Sequence, residues 1–88
     1  MNWGVEFTPR ALKDIERLST KDQRRILEFL HQRVSSHPNP KTLAKRLVAT
    51  KEDAWRFRVG DYRIITQFQD SRLVVLVVEV GNRREIYR

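Results

Sequence analysis

The sequence predicts an α+β fold: an N-terminal strand, an αα-hairpin, then a three-stranded antiparallel meander forming a small sheet with the helices on one face. Three observations carry this expectation. Between Leu12 and Val34 the apolar residues recur at helical spacing. From Trp55 they alternate with period two. Leu73 to Val78 is an unbroken apolar run of strand length.

Trp3 to Phe7 reads as the first strand, because Trp3, Val5 and Phe7 alternate with Gly4 and Glu6. Thr8-Pro9 opens a helix: a hydroxyl N-cap, then a proline at the first helical position, where its missing N–H costs nothing. Leu12, Ile15 and Leu18 line one face of that helix. Ser19-Thr20 interrupts the pattern, and Thr20 with Gln23 reads as a capping box that starts a second helix. Its apolar stripe is Ile26, Leu27, Phe29, Leu30 and Val34, and the segment from Ser35 to Pro40 ends it. Leu43 and Leu47 lie one helical turn apart, which suggests a short helical turn followed by a loop through Thr50. Trp55 to Val59 and Tyr62 to Gln69 are strands joined at Gly60-Asp61, and Asp70-Ser71 turns into a last strand from Arg72 to Val80. That strand is almost entirely apolar, so it is expected to be central and covered on both faces. Gly81-Asn82 is expected to end it. No repeat or linker divides the chain, which reads as one domain over residues 1–88.

Composition narrows the function classes. The chain of 88 residues has no cysteine, which removes disulfides and thiolate metal sites and suits a reducing cytosol. Met1-Asn2-Trp3-Gly4-Val5 lacks the basic and apolar regions of a signal peptide, and the longest apolar run is too short for a spanning helix. A cytoplasmic protein without membrane attachment is therefore expected. The formal charge is +7, from 18 Lys and Arg against 11 Asp and Glu. So basic a chain calls for a polyanion, an acidic protein partner, or both in turn. After Lys51 every cationic residue is arginine: Arg56, Arg58, Arg63, Arg72, Arg83, Arg84 and Arg88. Arginine grips phosphate through a planar fork, where lysine offers a point charge.

The strand Trp55 to Val59 turns Trp55, Phe57 and Val59 one way and Arg56 and Arg58 the other, the two arginines about 7 Å apart on one face. Arg63 lies just past the Gly60-Asp61 turn, Arg83 follows the last strand, and Tyr87 is near the end. These side chains are expected to gather on the sheet face that the helices leave open. The plain alternative is that arginines there are the solvated side of a half-buried sheet, and that Tyr87 is a packing residue. Trp3 and Trp55 read as core, Asp61 as a turn former. His31 and His37 read as surface residues with no partner at metal-ligand spacing, so no metal or other cofactor is expected.

The run Trp55-Arg-Phe-Arg-Val-Gly-Asp-Tyr-Arg-Ile-Ile65, the valine-rich strand after it, and the ending Val80-Gly-Asn-Arg-Arg-Glu-Ile-Tyr-Arg88 resemble the RelE branch of the RelE/ParE toxin superfamily. The opening strand, the Thr-Pro-Arg-Ala-Leu-Lys helix start and the helical hairpin agree with it. The resemblance implies a toxin held inactive by an antitoxin in a hetero-oligomer, and in the RelE branch a ribosome-dependent endoribonuclease that cuts messenger RNA in the A site. It implies Arg58, Arg63, Arg83 and Tyr87 as catalytic residues and Arg56 as an RNA-binding one, and Arg84, Arg88, Lys45 and Lys51 are further RNA-binding candidates. Arg56 and Arg58 stand where lysines occur in the best-known member, and arginine hardly deprotonates, so a lysine-type proton role is not carried over. The spacing from Arg83 to Tyr87 is also shorter, and the C-terminal helix seen in some relatives is not expected here.

The chemistry is consistent with these residues. The substrate 2′-hydroxyl attacks the adjacent phosphate, leaving a 2′,3′-cyclic phosphate and a free 5′-hydroxyl. Such a step needs a base, cations for the phosphoryl oxygens and an acid for the leaving oxygen. Tyr87 is the candidate base, favoured as phenolate by neighbouring arginines. Arg58 and Arg63 would hold the phosphate, and Arg83 is the acid or a second clamp. So unconventional a set predicts poor cleavage of free RNA and reliance on the ribosome for orientation. Two other classes stay open. A ParE-like gyrase poison shares the fold and acts by binding alone. A plain RNA-binding domain would bind with a steep salt dependence, although no aromatic residues align on the arginine face. An acidic, partly disordered antitoxin segment would neutralise the cationic face.

Overall fold

The computed structural model describes residues 2–48 and 53–82. Its elements are β1 (Gly4–Phe7), α1 (Pro9–Glu16), α2 (Thr20–Glu28), β2 (Lys45–Arg46), β3 (Trp55–Val59), β4 (Tyr62–Gln69) and β5 (Val74–Asn82). They form one sheet in the order β1-β5-β4-β3-β2. β1 runs parallel to β5, and the other neighbours are antiparallel. The expected α+β layering is present, with α1 and α2 on one face of the sheet and the expected meander as β3, β4 and β5.

Thr8 does two jobs at the start of α1. Its hydroxyl accepts from Ala11 N–H at 3.1 Å and donates to the Val78 carbonyl at 2.9 Å, so one side chain caps the helix and ties it to β5. The buried face of α1 is Ala11 and Ile15, and Leu12 is 48% exposed. A helix of two turns buries one i, i+4 row, and the small Ala11 lets the backbone approach the sheet. This corrects the expected stripe, in which Leu12 held the inner position. The N-cap of α2 is Ser19, one residue earlier than expected: its hydroxyl accepts from Asp22 N–H at 3.2 Å. Gln23 serves the preceding turn instead, donating from its amide to the Leu18 carbonyl at 2.9 Å. A single wider π turn, Phe29–Val34, extends α2. Ile26, Leu30 and Val34 are fully buried along this helix, whereas Leu27 lies at its flank, half-buried. At its far end Ser35 Oγ donates to the Trp3 carbonyl at 2.6 Å, and Trp3 N–H donates to the Ser35 carbonyl at 2.9 Å.

The core lies between the helices and the sheet. Phe57 faces Ile64 across β3 and β4, and Ile64 faces Val80 across β4 and β5. Phe57 meets Phe29 and Phe68 edge-on, with centroids 5.6 and 6.0 Å apart. Trp3 and Trp55 flank Phe68 at 5.9 and 5.5 Å, on the core side as expected.

β5 lies inside the ladder, as its apolar composition predicts, but Leu76 and Val78 remain half-exposed on it, so full cover of both faces is not found. Nor do Gly81 and Asn82 end the strand. They pair with Arg63 and Tyr62, because the long β4 offers ladder partners that outweigh the weak strand preference of glycine and asparagine. A bulge between Ile65 and Thr66 resets the register along β4 and β5. β1 stops at Phe7, and beyond it the Val80 N–H on β5 donates to Asp14 Oδ2 at 3.0 Å, so α1 closes the edge that β1 leaves. Between Pro40 and Leu43 the expected helical turn is a single 3₁₀ turn, and the strand β2, not expected from the sequence, follows it. Among the described residues no helix is long and apolar enough to cross a membrane.

A cationic face on the hairpin end of the sheet

The open face is set by register. Arg58 on β3 lies directly opposite Arg63 on β4. Arg56 lies opposite Ile65 on β4 and opposite Lys45 on β2. Directly paired residues of an antiparallel ladder share a face, so Lys45, Arg56, Arg58 and Arg63 stand together, away from Phe57 and Ile64. Arg56, Arg58 and Arg63 share the open face, as the alternation along the strand and the two-residue turn lead one to expect, and Lys45 joins them through β2, where the sequence suggests a loop. Lys51, Arg83, Arg84, Tyr87 and Arg88 lie outside the described residues.

Burial divides the four. Lys45 and Arg58 are exposed, Arg56 is half-buried, and Arg63 is 8% exposed. The Arg56 Nε–H is buried with no hydrogen-bond partner among the described residues. Leu43, Ala44, Lys45, Arg56 and Arg58 line a depression of about 290 Å³ beside it. Two sequence signals were too weak to reveal this arrangement. Lys45-Arg46 has no period of its own, and nothing in the sequence marks Arg63 as the sheltered arginine.

Charge is distributed unevenly around the molecule. Arg10 pairs with Glu79 at 3.1 Å, Lys41 with Asp70 at 2.9 Å, Arg46 with Asp53 at 3.1 Å and Arg72 with Glu6 at 3.1 Å. Lys45, Arg56 and Arg58 form no ion pair among the described residues. Like charges directly opposite on a sheet cost stability, and Arg58 and Arg63 are placed that way. Such an arrangement suits an anion with several oxygens, which guanidinium forks bind in pairs. Fixed donors aimed at phosphoryl oxygens can stabilise charge that builds during phosphoryl transfer. They supply no base, because arginine keeps its proton. No aromatic side chain joins this face among the described residues: Trp55, Phe57, Tyr62 and Phe68 stand on the other. His31 is exposed, and the His37 Nδ1 accepts from Asn39 N–H at 2.9 Å. Among the described residues no cluster of His, Asp and Glu is arranged to hold a metal ion.

A helical hairpin packed on one face of a small five-stranded sheet is the architecture of RelE-like toxins. The family described as ParE toxin of type II toxin–antitoxin system, parDE, matches residues 5–87, and the chain belongs to that family. Among curated relatives it is similar to Toxin RelG of Mycobacterium tuberculosis, 29% identical over 90 residues that cover 100% of this chain and 99% of that protein. It is also similar to Toxin RelE of the same organism, 29% identical over 86 residues, covering 98% and 87%. Among solved structures, the RelBE2 toxin–antitoxin complex from Mycobacterium tuberculosis contains a chain that superposes with a TM-score of 0.84 at 24% identity, covering 94% of this chain and 100% of that one, a likeness of fold. The archaeal RelE–RelB complex from Pyrococcus horikoshii gives 0.69 at 27% identity, covering 97% and 99%. The chain is thus a toxin of the type II toxin–antitoxin class.

Proposed function

We propose that the chain, acting as a single domain over residues 1–88, is a ribosome-dependent endoribonuclease that cuts messenger RNA in the A site without a metal ion. The observation behind this reading is the facing pair Arg58 and Arg63, flanked by Arg56 and Lys45, with the exposed members unneutralised by any carboxylate among the described residues. Such a face holds the scissile phosphate and the charge that builds on its oxygens. The substrate 2′-hydroxyl gives up its proton to Tyr87 and attacks phosphorus. The bond to the 5′-oxygen breaks, water returns a proton to it, and Arg83 acts as a second clamp on the phosphate. The products are a 2′,3′-cyclic phosphate and a 5′-hydroxyl. Arg84, Arg88 and Lys51 add phosphate contacts. Cytoplasmic action follows from the substrate. The partner that restrains the toxin is an antitoxin with an acidic segment that folds over the cationic face. The RelB–RelE complexes among the structural neighbours support such a partner.

A second reading has one observation in its favour: the matching family is described as ParE toxin, whereas the curated relatives are named RelG and RelE. On that reading the chain poisons DNA gyrase by binding and makes no cut. Mapping RNA ends on ribosomes that carry a defined message separates the two. Cuts within the A-site codon with cyclic-phosphate ends, reduced at least 10²-fold in Tyr87→Phe and Arg58→Ala, are expected of the ribonuclease. Intact message beside a toxic wild-type protein that induces DNA damage would move the chain to the gyrase class.

A further inference from the structure

The Arg58–Arg63 pair has a mechanical problem, and the opposite side of the sheet holds the parts that answer it. These two residues form the second pair from the end of the β3–β4 hairpin, and Val59–Tyr62 is the last. Like charges set directly opposite on a ladder disfavour that pairing. The connecting turn has two residues, with Gly60 at φ +59° and no positive φ at Asp61, the pattern of a type II′ turn. A two-residue turn sets the register but leaves the hairpin tip free to tilt as a unit. Tilting would carry both arginines with it.

The tip is tied to α2. The Tyr62 hydroxyl donates to Asp22 Oδ2 at 2.8 Å, across 40 residues of sequence. Asp22 is itself fixed, because its N–H donates to the Ser19 cap, and the helix N-terminus favours its carboxylate. One turn along, Arg25 lies against the hairpin turn: a Cβ added at residue 60 would come within 2.8 Å of Arg25 Nη1 and 2.9 Å of Nη2. Gly60 therefore gives both the turn and the room for this side chain. Tyr62 also pairs with Asn82 on β5, so the same tie reaches the Gly81-Asn82 start of the Gly-x-Arg-Arg-Glu-x-Tyr ending.

We propose that Asp22 and Tyr62 are positioning residues, and that the first turn of α2 is a clamp that holds Arg58 and Arg63 at the spacing one phosphate requires. This rests on the reading of that pair as a phosphate clamp. The clamp acts from behind the sheet and touches no substrate. Its loss moves the rate at saturation more than the affinity, because the ribosome supplies much of the binding. A small misplacement of preorganised donors is enough to cost a large factor in rate.

The test uses the full chain on ribosomes carrying a defined message, with wild type, Tyr62→Phe, Asp22→Ala and Asp22→Asn. Asn keeps an acceptor for the phenol hydroxyl and Ala does not. Tyr62→Phe and Asp22→Ala should each lower the saturating single-turnover rate about tenfold, with the half-saturating concentration within about twofold of wild type. Asp22→Asn should stay within about threefold of wild type, and the Tyr62→Phe/Asp22→Ala double variant should be no slower than either single one, as expected when both remove one interaction. A wild-type saturating rate in Tyr62→Phe, or Asp22→Asn as slow as Asp22→Ala, overturns the clamp. A second measurement is independent of cleavage: the arginine Nε–H resonances followed during titration with inorganic phosphate. In the wild type those of Arg58 and Arg63 should shift together, and in folded Tyr62→Phe that joint response should weaken about threefold while Arg72 is unchanged. An unaltered titration in the variant overturns the clamp, as does a wild type whose Arg58 and Arg63 ignore phosphate. A wild type that shows the joint shift and its loss in Tyr62→Phe, yet leaves the message intact, upholds the clamp and removes the ribonuclease reading alone.

Discussion

Phe57 and Arg58 are neighbours on β3 and belong to different regions of the molecule. Phe57 is fully buried between two other phenylalanines on the helix side. Arg58 is exposed on the open side, across from Arg63. Strand geometry sends successive side chains to opposite faces, so one residue step separates what holds the domain together from what it offers to a ligand. The helix side is filled by apolar groups whose replacement costs folding energy. The open side carries charges whose mutual repulsion lowers stability, and that cost is understandable if a polyanion relieves it on binding.

The largest effect expected from this contrast is on the helix side. Phe57→Ala should destabilise the domain by about 3–5 kcal/mol, measured by urea unfolding. A domain this small has a total stability of roughly 5–15 kcal/mol, so the variant should be close to unfolded at 37 °C. A loss below about 1 kcal/mol would mean that the aromatic cluster around Phe57 is not the centre of the core.

The next effect reverses the pattern. Arg58→Ala should leave the unfolding midpoint unchanged or slightly raised, since it removes the repulsion with Arg63. RNA binding should weaken by about 1.5 kcal/mol, roughly tenfold, because a charge-assisted contact is lost. The slope of log affinity against log salt should become shallower by about 0.7, the share of one phosphate contact on a single strand. Unfolding of Arg58→Ala as severe as that of Phe57→Ala, or an unchanged salt slope, would erase the distinction between the faces.

The two regions were also unequally legible in the sequence. Strands β3 and β4 have the expected bounds, because period two continues up to the Gly60-Asp61 turn. The same alternation puts Arg56 and Arg58 on one face, and the two-residue turn brings Arg63 into register with them. Other features depend on partners distant in the chain. Lys45-Arg46 becomes a strand because β3 offers its edge, and two residues carry no periodic signal. Gly81 and Asn82 stay in the ladder because β4 is long enough to pair them. Leu12 loses its expected place to Ala11 because a two-turn helix has room for one buried row. The Asp22–Tyr62 contact joins the first turn of a helix to a strand end, and neither residue type announces such a pairing.

The smallest effect is the sharpest control on the comparison. Arg72 and Glu6 form an ion pair of 3.1 Å with side chains 57% and 50% exposed, at the β1 edge of the sheet. Exposed pairs contribute about 0–1 kcal/mol, so Arg72→Ala should barely shift the unfolding midpoint. It lowers the net charge by the same single unit as Arg58→Ala. Strand order sets Glu6 on β1 and Arg58 on β3 three strand spacings apart, about 14 Å. That exceeds the Debye length of about 8 Å at physiological salt, so a phosphate held at Arg58 should hardly sense the change. Arg72→Ala is therefore expected to keep the wild-type salt slope in the RNA-binding assay. If it flattened the slope as much as Arg58→Ala does, RNA would be answering to bulk charge. The arginines of the hairpin end would then have no special claim to it, and the open face would be one cationic surface without a site.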